Sequence, residues 1–528
     1  MNQFTKLKII AFTILFLGFS GDTQSALAGN WYVDKDATGA NNGTSWGNAW
    51  KTFADIKWWD PWHSPADFQG MKPGDTLFIS GGPSGKTYYE ELDIGIGGTS
   101  RQAMISIKPG SASSSPAGHD GLVTIDGGGI RSGIVAISLS FILIDGEKNS
   151  TTNLKLQNLN HGADWGAGGI YINQGDSGII IRYVEISKAA NGIFISYANN
   201  YCTADGQTII ENNYLHDIWY DGAIKVNGSC FSNCSAYDGL IIRNNTIQTN
   251  KDPSGAGDGP DGIQGTCGVT VYNNNFSSGL GTGFTSGQHP DMIQALGKYW
   301  KIYNNIFNEC VDSCIDFGND GDGGHAWIFN NIFQNVGWMG FRTYPSFTNT
   351  TSFTDFWFVH NTYVDGYNHS PMRFGWTRSG EAIATVSDVH IKNNIFYNSG
   401  AYPEVIYMEA SSGFTPADWD IDYNLVRAGP QGNTKLTVDG LTYVQPQGYT
   451  DLDPVFASYT ESSLLNDLRL SADDRAAKDR GSTLPAQFSV DRDGRTRPQG
   501  SGWDIGAYEY VPRGDTTAPA PPTSLKIQ

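Results

Sequence analysis

Nine times between residues 180 and 426 the chain repeats one short phrase. It reads "IIRYVEIS" from Ile180, "IIENNYLHD" from Ile209, "LIIRNNTIQ" from Leu240, "VTVYNNNFS" from Val269 and "WKIYNNIFN" from Trp300. It continues as "AWIFNNIFQ" from Ala326, "WFVHNTYVD" from Trp357, "VHIKNNIFY" from Val389 and "WDIDYNLV" from Trp419. Aligned on the second Asn position, the marks fall at 184, 213, 245, 274, 305, 331, 361, 394 and 424, spaced 26 to 33 residues apart. A repeat of this length is one supersecondary unit, unable to bury a face until it stacks on its neighbours. Each unit reads as a short β-branched or aromatic strand, a tight Asn turn, a second strand, a variable loop and a third strand. Helical periodicity is absent, so leucine-rich and helical solenoids are excluded and a parallel β-helix remains. Asn suits the corner because it tolerates the left-handed backbone, and because its amide can bond an identical amide one coil away.

The third strands align as "GGIYIN", "NGIFIS", "GAIKVN", "DGIQGT", "DMIQAL", "SCIDFG", "MGFRTY", "SPMRFG" and "EVIYME". Alternation sends every other side chain to one face. The inward pairs are Ile170/Ile172, Ile193/Ile195, Ile224/Val226, Ile263/Gly265, Ile293/Ala295, Ile315/Phe317, Phe341/Thr343, Met372/Phe374 and Ile406/Met408. Between them an outward column runs Tyr171, Phe194, Lys225, Gln264, Gln294, Asp316, Arg342, Arg373, Tyr407, polar at its centre and aromatic at its ends. At ~4.8 Å per coil the polar part spans about 24 Å, enough for several sugars of an extended glycan. Two long loops, "TNKDPSGAGDGP" before Asp261 and "SSGLGTGFTSGQHP" before Asp291, lead into this face and would make it a groove.

The opening "WYVDKDATGANNGTSWGNAWKTFADI" with "MKPGDTLFISGG", the repeat itself, and the late "DRDGRTRPQGSGWDIGAYEY" together carry a family resemblance. From Trp31 to Tyr510 the chain resembles the secreted proteins of the pectate-lyase-like superfamily. The resemblance implies an all-β chain, a right-handed single-stranded parallel β-helix with an N-terminal cap. It divides the chain into a cap at about 31–110, coils at about 120–430 and a C-terminal closing segment at about 431–510. It also implies that the third-strand sheet and its preceding loops form the substrate cleft. Activity is not fixed by it, because the fold hosts lyases, hydrolases, epimerases and non-catalytic adhesins.

The termini and the charge narrow the setting. Lys6 and Lys8 precede the apolar run Ile9–Phe19, and "SALAGN" offers cleavage after Ala28, so residues 1–28 read as a secretory signal peptide. That run is too short to span a membrane, and no later segment is long enough. The expected setting is extracellular or at the cell surface, as a monomer acting on an extracellular polysaccharide, with no membrane insertion. Residues 511–528, ending "DTTAPAPPTSLKIQ", read as a Pro-rich tail or linker. A net charge of −19 argues against nucleic acid and anionic membranes. It also weighs against a strongly polyanionic substrate unless basic residues gather locally. Six cysteines in an exported chain suggest disulfides, with Cys310 near Cys314, Cys230 near Cys234, and Cys202 and Cys267 remaining.

Three functions compete for the groove, and a polysaccharide lyase cleaving a uronate-containing glycan leads, ahead of a glycoside hydrolase. A polysaccharide lyase acting by β-elimination needs a base, a proton donor and a cation on the uronate carboxylate. Here Lys225 is the base and Arg342 and Arg373 hold the uronate, with Asp291, Asp316 and His289 completing the catalytic set. Gln264, Gln294, Tyr171, Phe194 and Tyr407 would contact the sugars. A calcium ion could draw oxygens from Asp261, Asp291 or Asp312, whereas Asp258 reads as loop charge. A glycoside hydrolase would instead use paired carboxyls among Asp291, Asp312 and Asp316. The Asn-x-Asp, Asp-Asp, Gly-His-Gly and Arg-x-Lys set of polygalacturonase-like hydrolases is missing, and His325 in "GDGGHAW" lacks that company. A non-catalytic glycan-binding or spacer protein also fits the acidic balance. Asp261 and Asp291 have a competing reading as turn devices that accept backbone N–H bonds. "NDGDGG" (319–324) reads as a flexible turn before a calcium loop, because Asn331 stands where an EF-hand needs an acid.

Overall fold

The Asn phrase folds as its spacing requires. The computed structural model describes residues 28–512, apart from segments within 61–67, 111–117, 132, 160–167, 174–176, 197–205, 228–238, 250–258, 266, 279–289, 319–322, 345–351, 368, 375–384, 399–403, 409–418, 428–435, 439–440, 444 and 450. The signal peptide, His289, Asp258, both long loops, most of "NDGDGG", Cys202, Cys230, Cys234 and the Pro-rich tail therefore lie outside the described residues. Three parallel sheets run the length of the coils. Sheet one extends from Asn30–Val33 to Trp419–Asp422, sheet two from Lys86–Tyr88 to Leu425–Arg427, and sheet three from Leu92–Ile94 to Ile406–Met408. Each strand bonds the same strand of the next coil in register, as in Ile242↔Val271↔Ile302↔Ile328↔Phe358↔Ile391↔Ile421. The fold is a parallel β-helix built on three sheets.

The interior is one continuous apolar column, into which Phe276, Phe307 and Phe333 stack at 4.9 Å per step. Strands Asn30–Val33 and Thr76–Ile79 already belong to sheet one, and the segment between them adds Trp50, Phe53, Ile56 and Met71 to the same core.

At the corner between sheets one and two, the two Asn positions divide the work. The first takes the left-handed backbone: Asn212, Asn244, Asn273, Asn304, Asn330 and Asn393, with Tyr183, His360 and Tyr423 standing in, have φ between 53° and 57°. The second points inward and builds a ladder of buried amides: Asn213, Asn245, Asn274, Asn305, Asn331, Asn361, Asn394 and Asn424. In each step the backbone N–H and Nδ2 both donate to Oδ1 of the next Asn, at 2.9–3.0 Å between Asn213 and Asn245, for example. Nδ2 also donates to a carbonyl of the coil before, so each ladder amide has both its oxygen and its nitrogen bonded.

The C-terminal segment differs from the expectation of a simple closing piece. Gln445 does close the ladder, its Oε1 accepting from Asn424 N–H and Nδ2. Residues 451–510 then turn back along the outside of the corner. Phe456, Leu468, Leu470, Ile505 and Ala507 pack on Ile332, Val364, Ile395 and Leu425, while Phe488 and Trp503 pack on Phe329 and Val359. The buried Arg497–Glu509 ion pair, at 2.8 Å, pins this returning segment, and Arg497 also reaches Asn330 Oδ1.

Candidate functional site

The outward column of sheet three stands in the order the alternation requires. Tyr171, Phe194, Lys225, Gln264, Gln294, Asp316, Arg342, Arg373 and Tyr407 are consecutive register partners. The inward residues flanking them are buried, among them Ile193, Ile224, Ile263, Ile293, Ile315, Phe341 and Met372. The side chain of Met408 lies outside the described residues.

The column's chemistry concentrates at Arg342, which is 6% exposed. Nη2 lies 2.5 Å from Asp316 Oδ2 and 3.2 Å from Asp291 Oδ2, and Nη1 lies 3.3 Å from Asp312 Oδ2. Three carboxyls from two neighbouring coils thus share one guanidinium from the next. Burial works against the arginine's charge, but Asp316, Asp291 and Asp312 outweigh it and hold its proton above the usual range. One positive charge cannot balance three negative ones, so protons must make up the difference. Asp291 is pushed well above the carboxylate range, first by burial, against the pull of Arg342, and further by Asp316, Asp312 and Asp261. Asp261 rises likewise, by burial first and then by the charges of Asp316 and Asp221, opposed by the Asp291 backbone N–H and Lys225. The outer oxygen of Asp316, Oδ1, is buried with no hydrogen-bond partner among the described residues.

Asp261 and Asp291 also do what turn residues do. Asp261 Oδ1 accepts the N–H of Asp291 at 2.9 Å, and Asp291 Oδ1 accepts the N–H of Ser313 at 3.1 Å. The two readings are therefore compatible: each links successive coils, while the carboxyl of Asp291 also meets Arg342 and that of Asp261 meets Gln264.

Further along the column the partners are milder. Lys225 Nζ is 2.7 Å from Asp221, four residues earlier, so the amine sits as the donor in an ion pair. Gln264 Nε2 donates to Gln294 Oε1 at 2.5 Å and to Asp261 Oδ2 at 3.2 Å. Tyr171 and Phe194 stack at 5.6 Å and 8°, making a flat aromatic end. At the other end the Arg373 guanidinium lies over the Tyr407 ring at 5.1 Å.

The three carboxyls named for calcium, Asp261, Asp291 and Asp312, are each engaged by the protein itself. Among the described residues no three His, Cys, Asp or Glu side chains converge as a metal site. Asp291 and Asp312 meet on the Arg342 guanidinium, which stands where a cation would, and Asp261 turns to the Asp291 N–H and Gln264. His325 is not in the groove at all. It stacks on Tyr299 and bonds Asp355 at 2.8 Å, beside sheet one. A disulfide joins Cys310 to Cys314 on the coil that carries Asp312 and Asp316. Sequence reading missed Asp221 and Trp338, over whose ring Arg342 sits at 5.6 Å. An acid ahead of the third strand in successive coils, at 221, 261 and 291, was the available signal for Asp221.

No family model matches the chain, and no curated protein matches it. Solved structures do. XylC in complex with xylose is 12% identical, with a TM-score of 0.51, covering 91% of this chain and 98% of that one. The pectate lyase Pel9A is 15% identical, with a TM-score of 0.45 over 91% and 96% of the two chains. The GH136 lacto-N-biosidase from Eubacterium ramulus is 11% identical, with a TM-score of 0.41 over 79% and 67%. The likeness to XylC shows a shared fold and leaves the chemistry to the site. No helix among the described residues is long and apolar enough to cross a membrane.

Proposed function

We propose that the protein is a secreted carbohydrate-active enzyme that hydrolyses a glycosidic bond of an extracellular polysaccharide lying along sheet three. The observation that carries this reading is the arginine centre. Arg342 already has Asp291, Asp312 and Asp316 as counter-ions, and Lys225 has Asp221, so these groove cations are engaged by the protein itself. With Asp261 and Asp291 protonated, Asp221, Asp312 and Asp316 balance Lys225, Arg342 and Arg373, so the wall has no excess positive charge to draw a uronate. Glycosidic cleavage needs one carboxyl held protonated beside one held ionised. Asp316, bonded to Arg342 and with Oδ1 unpartnered among the described residues, is the member that attacks the anomeric carbon or activates water. Burial makes Asp261 and Asp291 the proton reservoir for the leaving oxygen. Asp291 and Asp316 meet on one nitrogen, so their Oδ2 atoms lie within about 6 Å of each other, short of the gap that inverting enzymes leave for a water. Gln264 and Gln294 offer amides to sugar hydroxyls, and the half-buried Tyr171, backed by the buried Phe194, offers a ring.

Elimination is the second reading, favoured by Lys225, Arg342 and Arg373 standing in one register column, with Lys225 as base and His289 assisting. One incubation separates the two. The mature protein is given neutral glycans and polyuronates while ultraviolet absorbance and reducing ends are followed together. Hydrolysis raises reducing ends alone, on neutral glycans. A parallel rise in absorbance on polyuronates would replace it with elimination, and silence on both would leave a binding protein.

A further inference from the structure

Between the returning C-terminal segment and the outer face of sheet two lies a cavity of about 320 Å³ that the cleavage chemistry does not use. Its floor is a run of side-chain amides on three successive coils. Gln334 Nε2 donates to Asn308 Oδ1 at 2.5 Å, and Asn308 Nδ2 donates to Asn275 Oδ1 at 3.0 Å. Gln334 is only 4% exposed, and its Oε1 has no hydrogen-bond partner among the described residues. Leu464, Leu468 and Tyr508 of the returning segment form the opposite wall. The size falls at the low end of small-ligand sites, ~300–1,000 Å³, which suits one sugar ring.

The charge on this wall limits the ligand. Arg469 is held by Asp493 at 2.7 and 3.0 Å and by Asp467 at 3.1 Å, so its guanidinium is already answered by two carboxylates. An anion finds no spare positive charge here. Amides side by side present alternate donors and acceptors, the pattern that vicinal hydroxyls match, and leucine and tyrosine suit the C–H faces of a pyranose.

We propose that this cavity is a second saccharide site, taking a single neutral sugar unit at a flank separate from the sheet-three groove. The proposal rests on the reading of the protein as carbohydrate-active, and adds to it a point where the polymer is held away from the point where it is cut. Both parts of the site must be present, because neither the amide floor nor the apolar wall encloses a ring alone.

The test uses the full chain carrying Asp316→Asn, so that nothing is turned over, titrated calorimetrically with xylose, glucose, galactose and mannose. The same titration is run after adding Asn275→Trp, at an exposed position on the rim, or Asn308→Ala in the floor. At least one sugar should bind in the millimolar range, and each cavity substitution should weaken it by about tenfold or more. In chains with Asp316 intact, cleavage of a short soluble glycan should stay within about twofold for both substitutions. Binding indifferent to both substitutions, or no binding of any of the four sugars up to about 50 mM, overturns the proposal. Cleavage without cavity-dependent binding would remove the second site alone. Cavity-dependent binding without cleavage of any glycan would remove the hydrolase reading and leave the second site standing.

Discussion

Two ladders climb this molecule, each with one residue per coil. The corner ladder repeats a single neutral amide from Asn213 to Asn424, and every step makes the same bonds. The groove column on sheet three changes residue at almost every step, and its charged members pair across coils. Both obey the same register, so the backbone does not account for the difference. A repeated neutral residue solves one problem many times over, the satisfaction of a buried turn. A column of unlike, partly buried charges costs desolvation at each position, and a scaffold has no use for it. Uniformity marks the frame, and variety at constant register is what the proposed glycan groove adds to it.

The contrast can be tested by breaking each ladder in turn. Asp316→Asn should lower kcat/KM by about 10⁴-fold while the melting temperature changes little, because the substitution keeps the shape and one bond to Arg342. Equal activity in that variant would return the column to plain surface. Arg342→Met should destabilise by about 3–5 kcal/mol in denaturant unfolding, since it strands three buried carboxyls without a counter-ion. In the corner ladder, Asn305→Ala should cost about 2–3 kcal/mol, by leaving a backbone N–H and a carbonyl unanswered, and should leave the pH dependence of activity untouched.

A smaller effect separates the ladders by pH. The amide ladder has nothing to titrate, whereas Asp261 and Asp291 have folded pKa values raised above their unfolded ones. The folded state therefore keeps protons that the unfolded chain has given up. The stability from these carboxyls is fully present below the ordinary value near 4 and is lost as pH rises through the raised values, at up to about 1.4 kcal/mol per pH unit for each group. Thermal melts of wild type and Asp261→Asn across pH 4 to 7 should diverge, the variant being flatter. Asn305→Ala should keep the wild-type slope. If activity uses the same protons, its rate falls in the same direction as pH rises.

Much of this architecture was legible before any coordinates. The 26–33 residue beat, the inward Ile pairs and the order of the groove column all follow from alternation and stacking, which are local rules repeated. The double Asn could be read because its two demands, left-handed backbone and amide pairing, are carried by adjacent positions such as Asn304 and Asn305. The pairing inside the groove was less accessible. Arg342 sits 51 residues from Asp291 in sequence, and a long side chain chooses among partners on several coils according to distance and burial. Asp221 was overlooked because it stands one position ahead of the register of Asp261, at the strand's entry.

The amino-acid sequence by itself determined a coil, a corner and a face, because each is set by residues within one repeat and copied upward. Tertiary structure alone decided the rest. It placed three carboxyls on one guanidinium, and it sent residues 451–510 back along the flank, where they enclose a cavity against sheet two. The returning segment has no repeat of its own. Its position is set by apolar contact with surfaces, such as Val364 and Ile395, that exist only after the coils have stacked.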